Sequence, residues 1–197
     1  RHAADTSFNR IVVDGDMSTN DTLLFLTNTT SGAVDAPVGQ YPDAVQAVSR
    51  KLAQDIVRDG EGVTKFITVQ ISGAPDAEAA RLIANTIATS PLVKTAFFGN
   101  DANWGRIVAA AGRAGIALVP ERMKLWMAAG ETDAATNGLL LFENGMPTAY
   151  SEVQASAIIR EPVVSIRLDC GAGTGEAIIW TCDLSHEYVS INADYRS

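Results

Sequence analysis

The sequence predicts a mixed α/β fold in which helices and strands pack in layers. Patterns typical of strands and helices alternate as far as residue 114, and strand patterns prevail from residue 125 onward. Hydrophobic residues make up 47% of the 197 positions, which is enough to bury a substantial core. Because each element must bury an apolar face, layers of helices on sheets are the simplest packing for this set.

The first part of the chain contains the clearest elements. Strands are predicted where residues are β-branched or alternate between two faces, and helices where apolar residues recur every three or four positions. Asp76 is predicted to cap the second helix. The predicted strands are Phe8–Val13, Thr22–Leu26, Lys65–Ser72 (covered on one face) and Leu92–Phe98. The predicted helices are Pro42–Arg58, Asp76–Thr89 and Trp104–Ala114.

The second part of the chain is richer in strands. The predicted elements are strands at Leu125–Ala128, Gly138–Glu143, Val163–Leu168 and Ala177–Asp183, and a short helix at Val153–Arg160. The glycine-rich run Cys170–Glu176 resembles a dinucleotide-binding loop, but such a loop must open a helix. Because this run leads into a strand, we interpret it as a β-turn.

Net charge, the length of apolar runs and cysteine content limit the possible partners, the location in the cell and the redox state of the thiols. The formal net charge of −8, from 23 acidic and 15 basic residues, disfavours nucleic acid and membrane surfaces, which attract clustered Lys and Arg. No apolar run approaches the length that spans a bilayer, and no signal peptide is recognised, so the cytoplasm is predicted. Cys170 and Cys182 are predicted to be reduced core thiols, although a disulfide between neighbouring strands stays open.

Most local constellations favour a structural interpretation. Asp14, Asp16 and Asp21 offer oxygen ligands to a divalent cation, but their spacing misses the EF-hand pattern and a hydrogen-bonded turn is favoured. His2 and His186 lack neighbouring Cys or His residues, so a zinc site has little support. Neither a Ser-His-Asp series nor a Gly-x-Ser-x-Gly motif is found. These side chains therefore give little support to a metal site.

Two further features are candidate binding elements. Glu61 lies between Gly60 and Gly62, where its uncrowded carboxylate is able to bind an amine. An exposed loop glutamate is the alternative, and the residues alone favour it. For the C-terminal run Ser190–Ser197, a frayed tail is the starting expectation.

Five blocks of sequence resemble the ornithine acetyltransferase family, also called glutamate N-acetyltransferases, over essentially the whole chain. Their order and separation match the family. The blocks are Ser7–Thr22, Asp59–Lys65, Asn103–Arg106, Cys182–Leu184 and Ile191–Tyr195. The chain departs from the family at Ala102, where Pro is usual, and at His186-Glu187, where an aromatic-acidic pair is common. Neither departure affects a residue that the resemblance assigns to substrate.

The resemblance implies an enzyme that cleaves itself before a threonine. That Thr uses its hydroxyl as nucleophile and its own α-amine as base, and passes the acetyl group of N2-acetylornithine to L-glutamate. Arg1 has neither hydroxyl nor thiol, so the Thr is expected upstream of this chain, as is the oxyanion hole. Whether acetyl-CoA also serves as donor is left open.

The resemblance further implies site residues, fold and partners. Glu61, Asn192 and Ser197 match substrate-binding positions, so the last six residues are expected to be ordered and to line the pocket. The fold would be an α/β/β/α sandwich with a smaller C-terminal lobe, divided into 1–120 (main α/β layer) and 121–197 (mostly β). The partners would be an N-terminal α chain, within an α2β2 heterotetramer. The resemblance implies no metal or organic cofactor.

Two rival functions remain open. A related self-processing aminopeptidase would release the acyl group to water. A non-catalytic assembly module would keep the fold without the reaction.

Overall fold

The computed structural model describes residues 1–26 and 40–194, which form alternating helices and strands. The helices are α1 (His2–Asp5), α2 (Gln40–Arg58), α3 (Ala77–Ala88), α4 (Pro91–Phe98), α5 (Trp104–Gly112), α6 (Ala134–Asn137), α7 (Glu152–Arg160) and α8 (His186–Asp194). The strands are β1 (Ile11–Val12), β2 (Phe66–Ala74), β3 (Lys124–Ala129), β4 (Leu139–Glu143), β5 (Met146–Pro147), β6 (Val163–Asp169) and β7 (Gly175–Cys182). The first helix is followed by a 3-10 turn at Phe8–Arg10.

Within the described residues, seven strands form one mixed sheet in the order β1-β7-β2-β6-β3-β4-β5. The pairs β1–β7 and β2–β6 are parallel, and the other neighbouring pairs are antiparallel. At the centre, Val69 of β2 lies opposite Ile166 of β6 and Ile179 of β7. This register places the aliphatic residues of three strands on one face.

The two faces of the sheet differ in chemistry. The aliphatic face, with Val69 and its neighbours, joins the main hydrophobic core beneath α3. On the opposite face, Phe66 and Trp180 form a second cluster with Val57 of α2. The Arg58 guanidinium lies 3.7 Å from the centre of the Phe66 ring, a cation–π contact. Strand β2 is therefore buried on both faces, whereas its alternation predicted a strand covered on one face.

Most predicted elements are confirmed with shifted ends. Helices α2, α3, α5 and α7 and strands β2, β3, β4, β6 and β7 all fall on predicted segments. The Asp76 carboxylate accepts a hydrogen bond from the Ala79 backbone at 2.8 Å and caps α3 as expected. The glycine-rich run forms the turn between β6 and β7.

The predicted strand at Leu92–Phe98 is wrong, because these residues form α4. Ser90 takes an extended conformation and Pro91 occupies the first helical turn, where its missing N–H costs nothing. Val93 and Phe97 are buried at helical spacing. The sequence of this segment resembles a strand because its lysine, Lys94, is buried on the same side as Val93 and Phe97. The usual separation of a polar face from an apolar face of a helix is therefore weak here.

Two N-terminal strand predictions also need correction. Of the predicted strand Phe8–Val13, only Ile11–Val12 pairs with the sheet. The segment Thr22–Leu26 has no regular structure, and its Leu24 and Leu26 side chains are 75% and 88% exposed. Within the described part of the chain, these apolar residues do not pair with any strand.

The predicted α/β class, with helices flanking a sheet, is confirmed. The described residues form one sheet. Strands from before and after residue 120 share that sheet. The division into 1–120 and 121–197 stays a prediction. In the ranges 1–26 and 40–194, no helix combines the length and apolarity needed to cross a bilayer.

Candidate functional site

The structure brings Glu61 and Asn192 into direct contact although they are far apart in sequence. Glu61 lies on the loop between α2 and β2, and Asn192 lies on α8. The side-chain nitrogen of Asn192 lies 2.5 Å from Oε2 of Glu61 and 2.9 Å from the backbone oxygen of Tyr188, and it donates to both. Ser197, the third predicted substrate residue, lies outside the described residues.

A close backbone approach at Gly62 places α8 beside Glu61. Gly62 has φ +66°, and a Cβ added to it would lie 2.6 Å from the backbone nitrogen of Tyr188. The Ser185 hydroxyl donates to the backbone oxygen of Gly62 at 2.7 Å and accepts from the Tyr188 backbone at 3.3 Å. Glycine is required here because the helix occupies the space of a side chain.

Sequence reasoning missed the contact between Tyr188 and Asp14. The Tyr188 hydroxyl donates to Oδ2 of Asp14 at 2.9 Å. Burial, the hydrogen bond to Asp14 and the nearby charges of Asp14, Glu61 and Asp16 raise the pKa of Tyr188 to about 12. The raised pKa therefore keeps the phenol protonated, and so a donor, further into the alkaline range than an ordinary tyrosine. The sequence signal for this contact is the spacing of Tyr188 and Asn192, which are four residues apart and therefore lie on the same face of a helix.

The Asp14 turn is the hydrogen-bonded turn favoured by the sequence. Its Oδ1 accepts from the Asp16 backbone at 2.9 Å, which leaves Oδ2 for Tyr188. Across the part of the chain that the structure describes, no three His, Cys, Asp or Glu side chains group into a metal site.

Asp183 fixes the floor of the Glu61 loop. Its Oδ1 accepts from the backbone nitrogens of Thr64 and Lys65, each at 2.9 Å, and its Oδ2 accepts from the Thr64 hydroxyl. Asp183 is buried, and these bonds join the end of β7 to the start of β2. The Cys182–Leu184 block therefore positions the loop that carries Glu61.

Lys94 lies buried beneath the same region. Its Nζ donates to the Cys182 backbone oxygen at 2.5 Å and to the Thr181 hydroxyl at 3.2 Å. Burial lowers the pKa of Lys94, and its contacts with Cys182 and the charges of Asp183 and Asp14 oppose the shift. Lys94 thus ties α4 to the end of β7 and compensates buried negative charge.

Both cysteines are free and buried. Burial raises the pKa of Cys170 to about 11 and also raises that of Cys182. Their thiols are therefore poor nucleophiles, which agrees with the interpretation as core residues.

The Asn103–Arg106 block has a structural explanation. Oδ1 of Asn103 accepts from the Arg106 backbone at 3.0 Å and caps α5, while the Arg106 guanidinium donates to the Leu92 backbone oxygen at 3.0 Å. Trp104 stacks on Phe142 with ring centres 5.2 Å apart. Together these contacts join α5 to α4 and to β4.

The chemistry of the Glu61 region suits a positively charged ligand. Glu61 is exposed, and Asp14 and Asp16 lie near enough to add negative potential. The Glu61 carboxylate can hold an ammonium group. The neighbouring Asn192 amide already donates both of its N–H groups, to Glu61 and to the Tyr188 backbone oxygen, so its carbonyl oxygen is what it offers to a ligand, as an acceptor. The arrangement is thus a candidate binding site for an amine.

Comparisons with known proteins give one consistent result. A family model described as the ArgJ family matches residues 1–197. The chain is 45% identical, over its whole length, to the arginine biosynthesis bifunctional protein ArgJ, mitochondrial, of Schizosaccharomyces pombe, and the match covers 45% of that protein. It is 45% identical to the arginine biosynthesis bifunctional protein ArgJ of Caulobacter vibrioides, with 98% of this chain and 47% of that protein covered.

A solved structure is similar over nearly the whole chain. The crystal structure of arginine biosynthesis bifunctional protein ArgJ from Bacillus halodurans has a TM-score of 0.83 at 35% sequence identity. The match covers 98% of this chain and 90% of that chain. By contrast, this chain spans about half the length of the curated relatives it matches.

Proposed function

Because the chain belongs to the ArgJ family, we propose that it is the substrate-binding C-terminal portion of an ornithine acetyltransferase. The complete enzyme would transfer an acetyl group from N2-acetyl-L-ornithine to L-glutamate. The contact between Glu61 and Asn192 carries this proposal, because it joins two residues that the family resemblance assigned to substrate.

The reaction would proceed in two halves around a threonine outside this chain. The Thr hydroxyl attacks the acetyl carbonyl, its proton passes through the Thr α-amine to the departing nitrogen, and the amide C–N bond breaks to release ornithine. The α-amine of glutamate then attacks the acetyl-threonine ester, and the hydroxyl is regenerated. Glu61 and Asn192 hold the amino-acid portion and keep the acetyl group in line with the Thr.

An α chain would supply the oxyanion hole and further contacts to the substrate. The matching Bacillus halodurans chain is close to this one in extent, whereas the curated relatives are about twice as long. This difference supports an enzyme of two chains, an α chain and this β-type chain. Their pairing as an α2β2 heterotetramer is carried over from the family resemblance.

An apolar stripe supports the same partner. Val48, Leu52 and Ile56 recur every four residues along α2 and are 60%, 49% and 49% exposed. A continuous apolar stripe of this kind suits burial against another chain.

Several finer points are part of the proposal. The mechanism needs no cofactor, and acetyl-CoA is a second donor to be tested. The predicted cytoplasmic location stays a prediction, since the Schizosaccharomyces pombe relative is named as mitochondrial and the Caulobacter vibrioides relative is not.

One assay separates this function from its rivals. The complete gene product is incubated with N2-acetylornithine, with and without glutamate, and free ornithine, acetate and N-acetylglutamate are quantified. The proposal expects ornithine and N-acetylglutamate in equal amounts, dependent on glutamate. Acetate release independent of glutamate would identify the hydrolytic type, and no turnover would favour the assembly module.

Mass spectrometry of the same preparation provides a second test. The proposal expects an α chain and a chain beginning with Thr upstream of Arg1. One uncleaved product, inactive in the assay, would contradict it.

A further inference from the structure

The C-terminal helix α8 is held in place by polar contacts. None of its described residues, 186–194, is buried. Hydrophobic burial, which fixes most helices in a fold, therefore contributes little to its position. The His186 ring packs edge-to-face on Phe98 at the start of α8, with ring centres 5.5 Å apart, and the rest of the helix is aligned by hydrogen bonds.

Two side chains on one face of α8 make its long-range side-chain hydrogen bonds within the described residues. Tyr188 and Asn192 are four residues apart and so point in the same direction. Tyr188 reaches Asp14 and Asn192 reaches Glu61, at 2.9 Å and 2.5 Å. The Asn192 amide also donates to the Tyr188 backbone oxygen, so displacement of Tyr188 removes one of its two partners.

Asp14 is anchored to the sheet through β1. It follows β1, whose Ile11 and Val12 pair with Trp180 and Thr181 of β7. Its Oδ1 is already occupied by the Asp16 backbone, which orients Oδ2 toward the Tyr188 phenol. The contact therefore runs from the central sheet to the helix.

We propose that Asp14 and Tyr188 are positioning residues, whose hydrogen bond holds α8 so that Asn192 faces Glu61 in the substrate site. The inference rests on the proposed function for the identity of the substrate. Neither residue needs to touch substrate. Loss of the bond frees α8 to move, and the amine-binding pair separates for part of the time.

The test compares variants of the complete enzyme in steady-state kinetics with N2-acetylornithine. Tyr188→Phe and Asp14→Ala each remove the bond, and each is expected to raise KM about tenfold while kcat changes less than about twofold. Asp14→Asn keeps a hydrogen bond to the phenol, because its amide oxygen can accept from the Asp16 backbone while its amide N–H donates to the phenol oxygen. Its KM should therefore stay within about threefold of wild type. The double variant Tyr188→Phe/Asp14→Ala should be no worse than either single variant.

Tyr150→Phe is the matched control, because it removes a phenol hydroxyl from a half-buried tyrosine away from α8. Its KM should equal that of wild type. Hydrogen exchange gives an independent readout: the backbone amides of residues 186–194 should exchange faster in Tyr188→Phe and Asp14→Ala, but not in Tyr150→Phe.

Three results would overturn the inference. These are an unchanged KM in Tyr188→Phe, additive effects in the double variant, or unchanged exchange in α8. If Glu61→Gln raises KM and Tyr188→Phe does not, the positioning role fails and the proposed function stands. If the wild type shows no acetyl transfer, the proposed function fails, and the exchange rates of α8 still decide whether Asp14 and Tyr188 position it.

Discussion

Gly62 and Tyr188 approach so closely that no side chain fits between them: a Cβ on Gly62 would lie 2.6 Å from the Tyr188 backbone nitrogen. The same Cβ would lie 2.7 Å from the Ser185 hydroxyl oxygen. The loop that carries Glu61 and the helix that carries Asn192 therefore meet through bare backbone.

Gly62→Ala should displace α8 from the Glu61 loop. We expect a loss of stability of about 1–3 kcal/mol together with a higher KM for N2-acetylornithine, because the clash adds to the strain of positive φ. Gly115→Ala is the matched control, since Gly115 has φ +74° but no atom within 4 Å of the added Cβ. Thermal unfolding and kinetics of both variants distinguish the clash from backbone strain. Equal KM values in the two variants would contradict the role of this contact.

Asp183→Ala should destabilise the enzyme by about 2–4 kcal/mol, because backbone donors of Thr64 and Lys65 lose a buried acceptor and Lys94 loses a compensating charge. Asp183→Asn keeps one carbonyl acceptor and should lose less. Urea unfolding of the complete enzyme measures both. A stability of Asp183→Ala within error of wild type would show that these bonds do not hold the loop.

The Tyr188 phenol should give stability a distinctive dependence on alkaline pH. Its folded pKa of about 12 lies above the ordinary value of 10.0, so the unfolded chain loses the proton first as pH rises. The stabilisation is complete below pH 10 and is lost between about pH 10 and 12. Unfolding measured across this window should decline more steeply for wild type than for Tyr188→Phe. Parallel profiles would contradict the raised pKa.

Local periodicity was sufficient to predict much of the fold. Elements such as α2, β2 and α3 carry apolar residues at the spacing of their own structure, and Asp76 marks the start of α3. The same reasoning failed at Leu92–Phe98, where the buried Lys94 hides the helical period. Burial of a lysine depends on acceptors from β7, which the local sequence does not reveal.

The site was predictable in part. Glu61 and Asn192 came from family resemblance, while flanking glycines suggested an accessible carboxylate. Their contact joins residues 131 positions apart, and the Tyr188–Asp14 bond joins residues 174 apart. These two contacts depend on the order of strands in the sheet and on the path of α8. A local sequence pattern therefore does not predict them.

The kinetic effect of Glu61→Gln on the complete enzyme tests the central claim most directly. Glutamine keeps the size of the side chain but removes the charge that would hold an ammonium group. The KM for N2-acetylornithine should rise about 10- to 100-fold, equivalent to about 1.4–2.8 kcal/mol, with kcat within about threefold of wild type. Glu176→Gln, at an exposed position of β7, should leave both constants unchanged. An unaltered KM in Glu61→Gln would contradict the assignment of Glu61 to the substrate amine.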